Sequence, residues 1–366
     1  VRLVLGDDRG NETRRTSRIS IRPAAAYTVK HVVSAVDGSL EDSLPEGLLE
    51  THRRATVTVG AVNGLDLLPN LERLLEYPHG CLEQTTSRAF PILAWHELLR
   101  QMHPEGDSLS SRVEASIDRL FTMQTSSGGL AVWPGGDDSY PFGSVYAADF
   151  LLEAREAGYA VPAGPLDDLL QSLERSLQRG EAGAYATLVL TRAGRPMRAW
   201  LDRMSETETS VESRARLAAA YLRLGDRERA RELLGDAADP WAVPRMQGGK
   251  LTSPVRAAAV LLDALVATDA GDARIPELVL RLQGAARKTA ARTTQENAAA
   301  LLALARYYRA TAQQQDDVSG HLTLGFRSER IDDATGVSLS TRPGEDWRFA
   351  CRANAPLTVV IELSPV

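Results

Sequence analysis

Twice along this chain the hydrophobic period changes, and the two changes restrict it to few architectures. Apolar and polar residues alternate at 1–5, 18–22, 27–33 and 55–59, with Gly, Asp, Asn and Pro between the runs, the pattern of half-buried antiparallel strands. From about 65 to 314 the repeat is helical, and alternation returns at 321–326, 336–340, 347–351 and 357–363. The leading strands alone are too few to close a sandwich. The economical arrangement is one β domain, 25–62 and 316–366, split by a helical insertion at 63–315, with the strands of 1–24 belonging to a preceding β domain.

Inside the insertion, starts and stops predict helices near 66–76, 81–102 (interrupted at Pro91), 109–124, 144–158, 165–179, 183–193, 195–204, 209–224, 226–235, 252–269, 275–288 and 293–314. Ser111 with Glu114, Thr209 with Glu212 and Thr293 with Glu296 have the spacing of capping boxes. Ser253 precedes a proline at the first helical position, and Gly158, Gly180, Gly194, Gly225 and Gly235 read as C-terminal stops. Six helical hairpins result. Periodicity alone leaves a closed ring and an open solenoid equally available, and 218–225 has the texture of a helical repeat.

The chemistry is concentrated in Tyr77-Pro78-His79-Gly80-Cys81-Leu82-Glu83-Gln84-Thr85-Thr86-Ser87-Arg88. Residues at i and i+3 share a helix face, so the Cys81 thiol and the Gln84 carboxamide can meet there. Displacement of ammonia by sulfur would leave an internal thioester. The plainer alternative is a buried thiol beside an ordinary helix residue. Taken together, this string resembles the thioester signature of the alpha-2-macroglobulin and complement family, and Leu82 with Thr85-Thr86-Ser87 is similar to the bacterial alpha-2-macroglobulins. Segments 128–136 and 144–152 resemble the family's post-thioester region, and 293–298 resembles its late helix.

That resemblance implies an α/α toroid of six helical hairpins inserted into a CUB-like antiparallel β-sandwich, with 1–24 in a macroglobulin-like or CUB-like domain. It implies a single-turnover protease inhibitor in which the Gln84 acyl group passes to a lysine amine of a trapped protease, and Cys81 leaves as a thiol. The trigger would reside in other macroglobulin-like domains of a longer, periplasmic parent, with any lipid anchor upstream. Tyr77 is the candidate cover for the ester, or else helix-end packing. Pro78 fixes the entry, and Gly80 admits a turn that a side chain would block. Glu83 is either a proton acceptor for the amine or a carboxylate favoured by the helix N-terminus. A His79–Cys81 nucleophilic pair is disfavoured, because i and i+2 do not face each other. No histidine lies between His103 and His321, which departs from hydroxyl-preferring complement proteins and favours direct attack by an amine.

Two other readings compete. An α/α-toroid enzyme, of glycoside hydrolase or cyclase type, would need paired inward carboxylates, and Asp137-Asp138 looks instead like a surface turn. The other is a non-catalytic helical interaction module. Trp133, between glycines and Pro134, is expected to plug one end of the toroid, and His96 and His103 to lie on a helix face and a helix exit.

At 366 residues, 43% of them hydrophobic, the chain can bury more than one core. A net charge of −6 with dispersed basic residues argues against nucleic acid, and no apolar run has the length of a membrane span. No cofactor or metal is expected, since no Cys/His cluster has ligand spacing. Cys351 is expected to be a buried structural thiol, unpaired with Cys81. Lys30, Lys250 and Lys288 are the only lysines among 42 basic residues; codon usage explains this, and so would the advantage to an amine-reactive protein of carrying guanidinium in their place.

Overall fold

The computed structural model describes residues 2–6, 8–16, 30–36, 39–42, 53–60, 67–76, 80–96, 99–100, 108–235, 237–245, 251–287, 293–311, 319–331, 337–340, 349–353 and 357–365. The expected strand at 18–22, the residues Tyr77, Pro78, His79 and His103, and Trp347 lie outside them.

Ten strands and twelve α-helices are described. The strands are β1 (Arg2–Gly6), β2 (Glu12–Thr16), β3 (Lys30–Val36), β4 (Ser39–Asp42), β5 (Arg53–Gly60), β6 (Gly320–Leu324), β7 (Arg327–Ile331), β8 (Val337–Ser340), β9 (Phe349–Ala353) and β10 (Leu357–Pro365). β1 and β2 form a separate hairpin. Two four-stranded antiparallel sheets run in the orders β3-β10-β5-β8 and β4-β9-β6-β7, so each combines strands from before and after the helices. Register places Val360 opposite Val33 and Thr58, and Leu322 opposite Cys351. Hydroxyl pairs Thr56–Ser340 (2.8 Å) and Thr58–Ser338 (3.0 Å) join β5 to β8. Val57, Val59, Val359, Leu322, Leu324 and Cys351 are buried, and Cys351 and Cys81 are both free thiols. β2, β4 and β7 were not expected: β2 has no apolar residue, and β7 buries only Ile331.

The helices are α1 (Leu68–Leu75), α2 (Leu82–Ala94), α3 (Ser108–Phe121), α4 (Pro141–Glu156), α5 (Ala163–Gln178), α6 (Ala184–Arg192), α7 (Arg198–Thr207), α8 (Val211–Arg223), α9 (Arg227–Gly235), α10 (Pro254–Thr268), α11 (Ile275–Arg287) and α12 (Thr294–Thr311). Contacts among the even-numbered helices form a closed cycle, α2–α4–α6–α8–α10–α12–α2, and each odd-numbered helix packs on the even ones that flank it in sequence. Sequence texture follows that division. α1, α3 and α5 carry one apolar stripe, whereas α4 and α10 are buried on nearly every side.

Several local expectations are corrected by the fold. Pro91 does not interrupt α2, which continues to Ala94 and ends with the Trp95 N–H donating to the Pro91 carbonyl at 2.9 Å. An internal proline costs about 3 kcal/mol, and here α2 is enclosed by α1, α3, α4 and α12, with Phe90, Pro91 and Ile92 all buried. Ser111 is no cap, because α3 has already begun at Ser108. The cap of α8 is Ser210, accepting from Ser213 N at 3.2 Å, and not Thr209. Gly235 is the last residue of α9, whereas Gly158, Gly180, Gly194 and Gly225 do take the left-handed turn (φ 93°, 74°, 76° and 84°). Thr293 and Glu296 form the expected reciprocal box, and Ser253 accepts from Arg256 N at 3.2 Å.

Ion pairs join the even-numbered helices to one another. Arg192 on α6, 9% exposed, reaches Asp149 (2.9 Å) and Glu153 (3.2 Å) on α4. Arg306 on α12 joins Glu153 to Asp263 on α10. Arg256 on α10 reaches Glu212 on α8 at 2.8 Å. Burial disfavours the Arg192 and Arg306 cations, but the carboxylates around each outweigh it and hold both firmly charged. Arg192 and its partners Asp149 and Glu153 are the well-buried part, and removing the arginine strands two carboxylates in low dielectric at about 3–5 kcal/mol. Arg192→Met is therefore expected to lower the urea-unfolding free energy by about that amount. Arg14→Ala, which breaks an exposed 2.7 Å pair with Glu12, should unfold as the parent does.

Candidate functional site

The head of α2 begins with Cys81 in an extended conformation (φ −68°, ψ 171°), the geometry of an N-cap. From there its sulfur folds back over the first turn and accepts from the Gln84 backbone N–H, while the Cys81 N–H donates to Gln84 Oε1 at 3.2 Å. Two orphan donors of the helix end are satisfied reciprocally. The cap is unusual in its chemistry, since its two side chains are a thiol and a carboxamide.

Three other elements hold this turn. The Leu82 N–H donates to the Val132 carbonyl at 2.9 Å, which binds the loop between α3 and α4 to the head of α2. Arg119 of α3 donates to the Gly80 carbonyl from Nε (3.0 Å) and Nη2 (2.6 Å), and Arg112 one heptad earlier donates to the Leu75 carbonyl at 3.3 Å. At Gly80 a side chain would crowd the arginine that holds its carbonyl. A Cβ there would lie 3.0–3.3 Å from the Arg119 guanidinium, and its backbone needs no special φ. Leu82 is fully buried, its Cδ2 only 2.6 Å from where a Cβ on Gly143 would stand, so α4 approaches α2 closely.

Glu83 turns its carboxyl inward. Oε1 accepts from Ser87 Oγ at 2.6 Å, and both oxygens accept from Thr294 Oγ1 at 2.9 Å, which ties the head of α2 to the head of α12. Ser87 in turn lies 3.2 Å from the Tyr146 hydroxyl. Burial pushes the Glu83 carboxyl above the usual range, against the pull of those hydroxyls. Burial likewise raises the Cys81 thiol, opposed by the Gln84 N–H and reinforced by the charge of Glu83. A free thiol at this position is thus favoured in its protonated form.

The three stretches singled out in the sequence come together here: the head of α2, the loop through Val132, and the start of α12 at Thr294. Trp133 is a correction. It is 53% exposed and plugs nothing, since the loop is anchored through the Val132 carbonyl and not through the indole. Asp137 and Asp138 lie on the exposed turn expected of them. Tyr146 and Thr294 fall in stretches singled out in the sequence, whereas Arg112, Arg119 and Tyr140 carry no local signal that ties them to Cys81. Tyr140 caps α4, and its hydroxyl is raised first by burial and then by the nearby charges of Glu83 and Cys81. Among the described residues no group of three acidic, His or Cys side chains has the arrangement of a metal site, and no helix is long and apolar enough to cross a membrane.

Comparison with known proteins adds independent findings. No family model matches the chain. It is 28% identical over 401 residues to the alpha-2-macroglobulin of Xylella fastidiosa strain Temecula1, a match covering 98% of this chain and 24% of that protein. It is 31% identical over 185 residues to the alpha-2-macroglobulin of Escherichia coli K12, covering 48% of this chain and 11% of that one. The chain therefore spans about a quarter of the length of the Xylella relative. Among solved structures, native E. coli alpha-2-macroglobulin from domain MG7 to the C-terminus superposes with a TM-score of 0.69 at 22% identity, over 97% of this chain and 59% of that one. Salmonella alpha-2-macroglobulin reacted with methylamine gives 0.72 at 24% identity, over 99% of this chain and 25% of that one. In sequence and in fold alike, the relatives of this chain are the bacterial alpha-2-macroglobulins, the family that the residues around Cys81 resemble.

Proposed function

We propose that this chain is the thioester-bearing part of a bacterial alpha-2-macroglobulin-type protease inhibitor. The observation that carries this reading is the reciprocal cap, which lays the Cys81 sulfur and the Gln84 carboxamide across one turn of α2. Attack of the sulfur on the carboxamide carbon expels ammonia and forms the ester. The Gln84 carbonyl oxygen remains, so the hydrogen bond from the Cys81 N–H can persist. A lysine amine of a captured protease then attacks the same carbon, an amide bond forms and the carbon–sulfur bond breaks. The amine's surplus proton goes to the sulfur, whose surroundings favour the thiol. One acyl group is consumed per molecule, so the chain acts once and does not turn over.

Domain limits of 63–315 for an α/α toroid, 25–62 with 316–366 for a CUB-like sandwich, and 1–24 for a preceding domain are part of the same proposal. The closed cycle of helices and the two sheets built from both ends of the chain support it. Solved relatives include E. coli alpha-2-macroglobulin activated by trypsin and by porcine elastase, which supports proteases as partners, and the remaining domains of a longer parent would bring them to the site. The periplasm is the compartment this reading implies, with any lipid anchor upstream. The glycosidase alternative finds no support, because Asp149, Glu153, Glu212 and Asp263 are each engaged by an arginine.

Intact mass before and after methylamine tests the proposal. The fresh protein should be one ammonia lighter than its sequence, gain one whole methylamine, and release a native-state thiol at Cys81, while Cys81→Ser does none of these. Full sequence mass together with immediate alkylation of Cys81 would refute it. Glu83 contributes positioning, joining α2 to α12. Its carboxyl is raised by burial, so its ionisation above that raised pKa works against the fold and its protonation at lower pH relieves the penalty. Glu83→Gln keeps an acceptor for Ser87 and Thr294 without the charge. Its melting temperature relative to the parent should be most favourable near pH 8 and lose that advantage as pH falls through the carboxylate range.

A further inference from the structure

Where α4, α6, α8 and α10 begin, the helices line a half-open pocket of about 520 Å³, within the usual size of small-molecule sites. Its walls are largely apolar, with Tyr140, Phe142, Val145, Tyr185 and Val211 prominent among them. Arg216 forms part of the same wall, and it is 9% exposed. Its guanidinium carbon stands 3.4 Å from the Tyr185 ring centroid. Nε and Nη2 both donate to one oxygen of Glu212, at 3.2 Å. The other oxygen of Glu212 is taken by Arg256, at 3.0 and 2.8 Å.

Glu212 thus accepts from two guanidiniums at once, with the charge of Asp149 also acting on Arg216, and no described protein group accepts from Nη1 of Arg216. A donor on a cation in an apolar enclosure gains more from an anionic acceptor than from any other partner. Glu181, held by Arg179 at 2.8 Å, and Glu208 also line the cavity. We propose that this cavity binds a small organic carboxylate with an aromatic body, the carboxylate accepting from Arg216 Nη1 and the body lying against Tyr140 and Phe142. Tyr140 and Leu82 both crowd Gly143, each 2.6 Å from where a Cβ would stand there, so the ligand would lie near the head of α2. The site is distinct from the Cys81–Gln84 pair and its occupation does not depend on whether the ester forms.

Calorimetric titration of the full chain with 3-phenylpropanoate, and with 3-phenylpropanamide as its neutral isostere, tests the proposal. The carboxylate should bind at least about tenfold more tightly than the amide. Arg216→Gln should abolish that preference, and Ala182→Trp, which fills the cavity from its rim, should abolish binding of both. Equal affinity of the two probes for the parent, no heat from the carboxylate up to about 10 mM, or carboxylate binding that survives Ala182→Trp would each overturn the proposal. Should Arg216→Gln fail to fold by circular dichroism, the two probes and the filled cavity decide the matter without it.

Discussion

Closure of the helix cycle rests on the pairing of charges that the cycle itself takes out of water. Six helices meeting around an axis leave an interior to be filled, and this chain fills part of it with guanidinium and carboxylate. An unpaired ion there would cost several kcal/mol, so each arginine is useful only if its partners on other helices are in place. Arg192 spans α6 and α4, Arg306 spans α12, α4 and α10, and Arg256 spans α10 and α8. Hydrophobic contacts tolerate sliding; these geometries do not. The network thereby fixes how far α4, α6, α8, α10 and α12 are advanced past one another, which apolar stripes alone leave loosely defined.

Fixing that advance also brings the heads of the inner helices to a common level. A helix N-terminus presents unpaired N–H groups and a partial positive charge, and a ring of them is a concentrated demand for acceptors. The chain meets the demand with side chains of the first turn or just before it: the Cys81 sulfur and Gln84 on α2, Ser210 on α8, Ser253 on α10, Thr293 and Glu296 on α12. Ser210, Ser253 and Thr293 serve as caps, and Glu296 adds an ion pair with Arg245. Cys81 and Gln84 perform the same structural task with groups that can also react with each other, so the scaffold that holds them close is explained by helix physics before any chemistry is invoked.

Much of this was legible in advance, for reasons that can be named. Every described helix was anticipated because its stripe, cap or terminal glycine is encoded within a few residues, as at Ser253-Pro254 or Gly225. The choice between Thr209 and Ser210 was not legible, since neighbouring hydroxyls are equivalent until the chain's path is known. β2 and β7 were invisible because they bury almost nothing, and pattern reading detects burial. Continuity through Pro91 depends on enclosure by four other helices, a tertiary fact. At the site, Cys81 and Gln84 stand out through their spacing together with the whole 77–88 string that surrounds them. Arg119 grips Gly80 across 39 positions with nothing local to announce it, and the segment 293–298 was marked by resemblance while the contact of its Thr294 with Glu83, across 211 positions, was not.

The position of β10 has a consequence for how the chain comes to be folded. It lies between β3 and β5 and pairs with both along most of its length, yet it is made some 300 residues after β5. At typical elongation rates of about 5–20 residues per second, that interval is on the order of 15–60 s. During it the helices can close around their own local contacts, whereas β3 and β5 wait with their backbone edges open. Nascent-chain protection, by a chaperone or by the ribosome itself, is thus needed most at 30–60 and least in the helices.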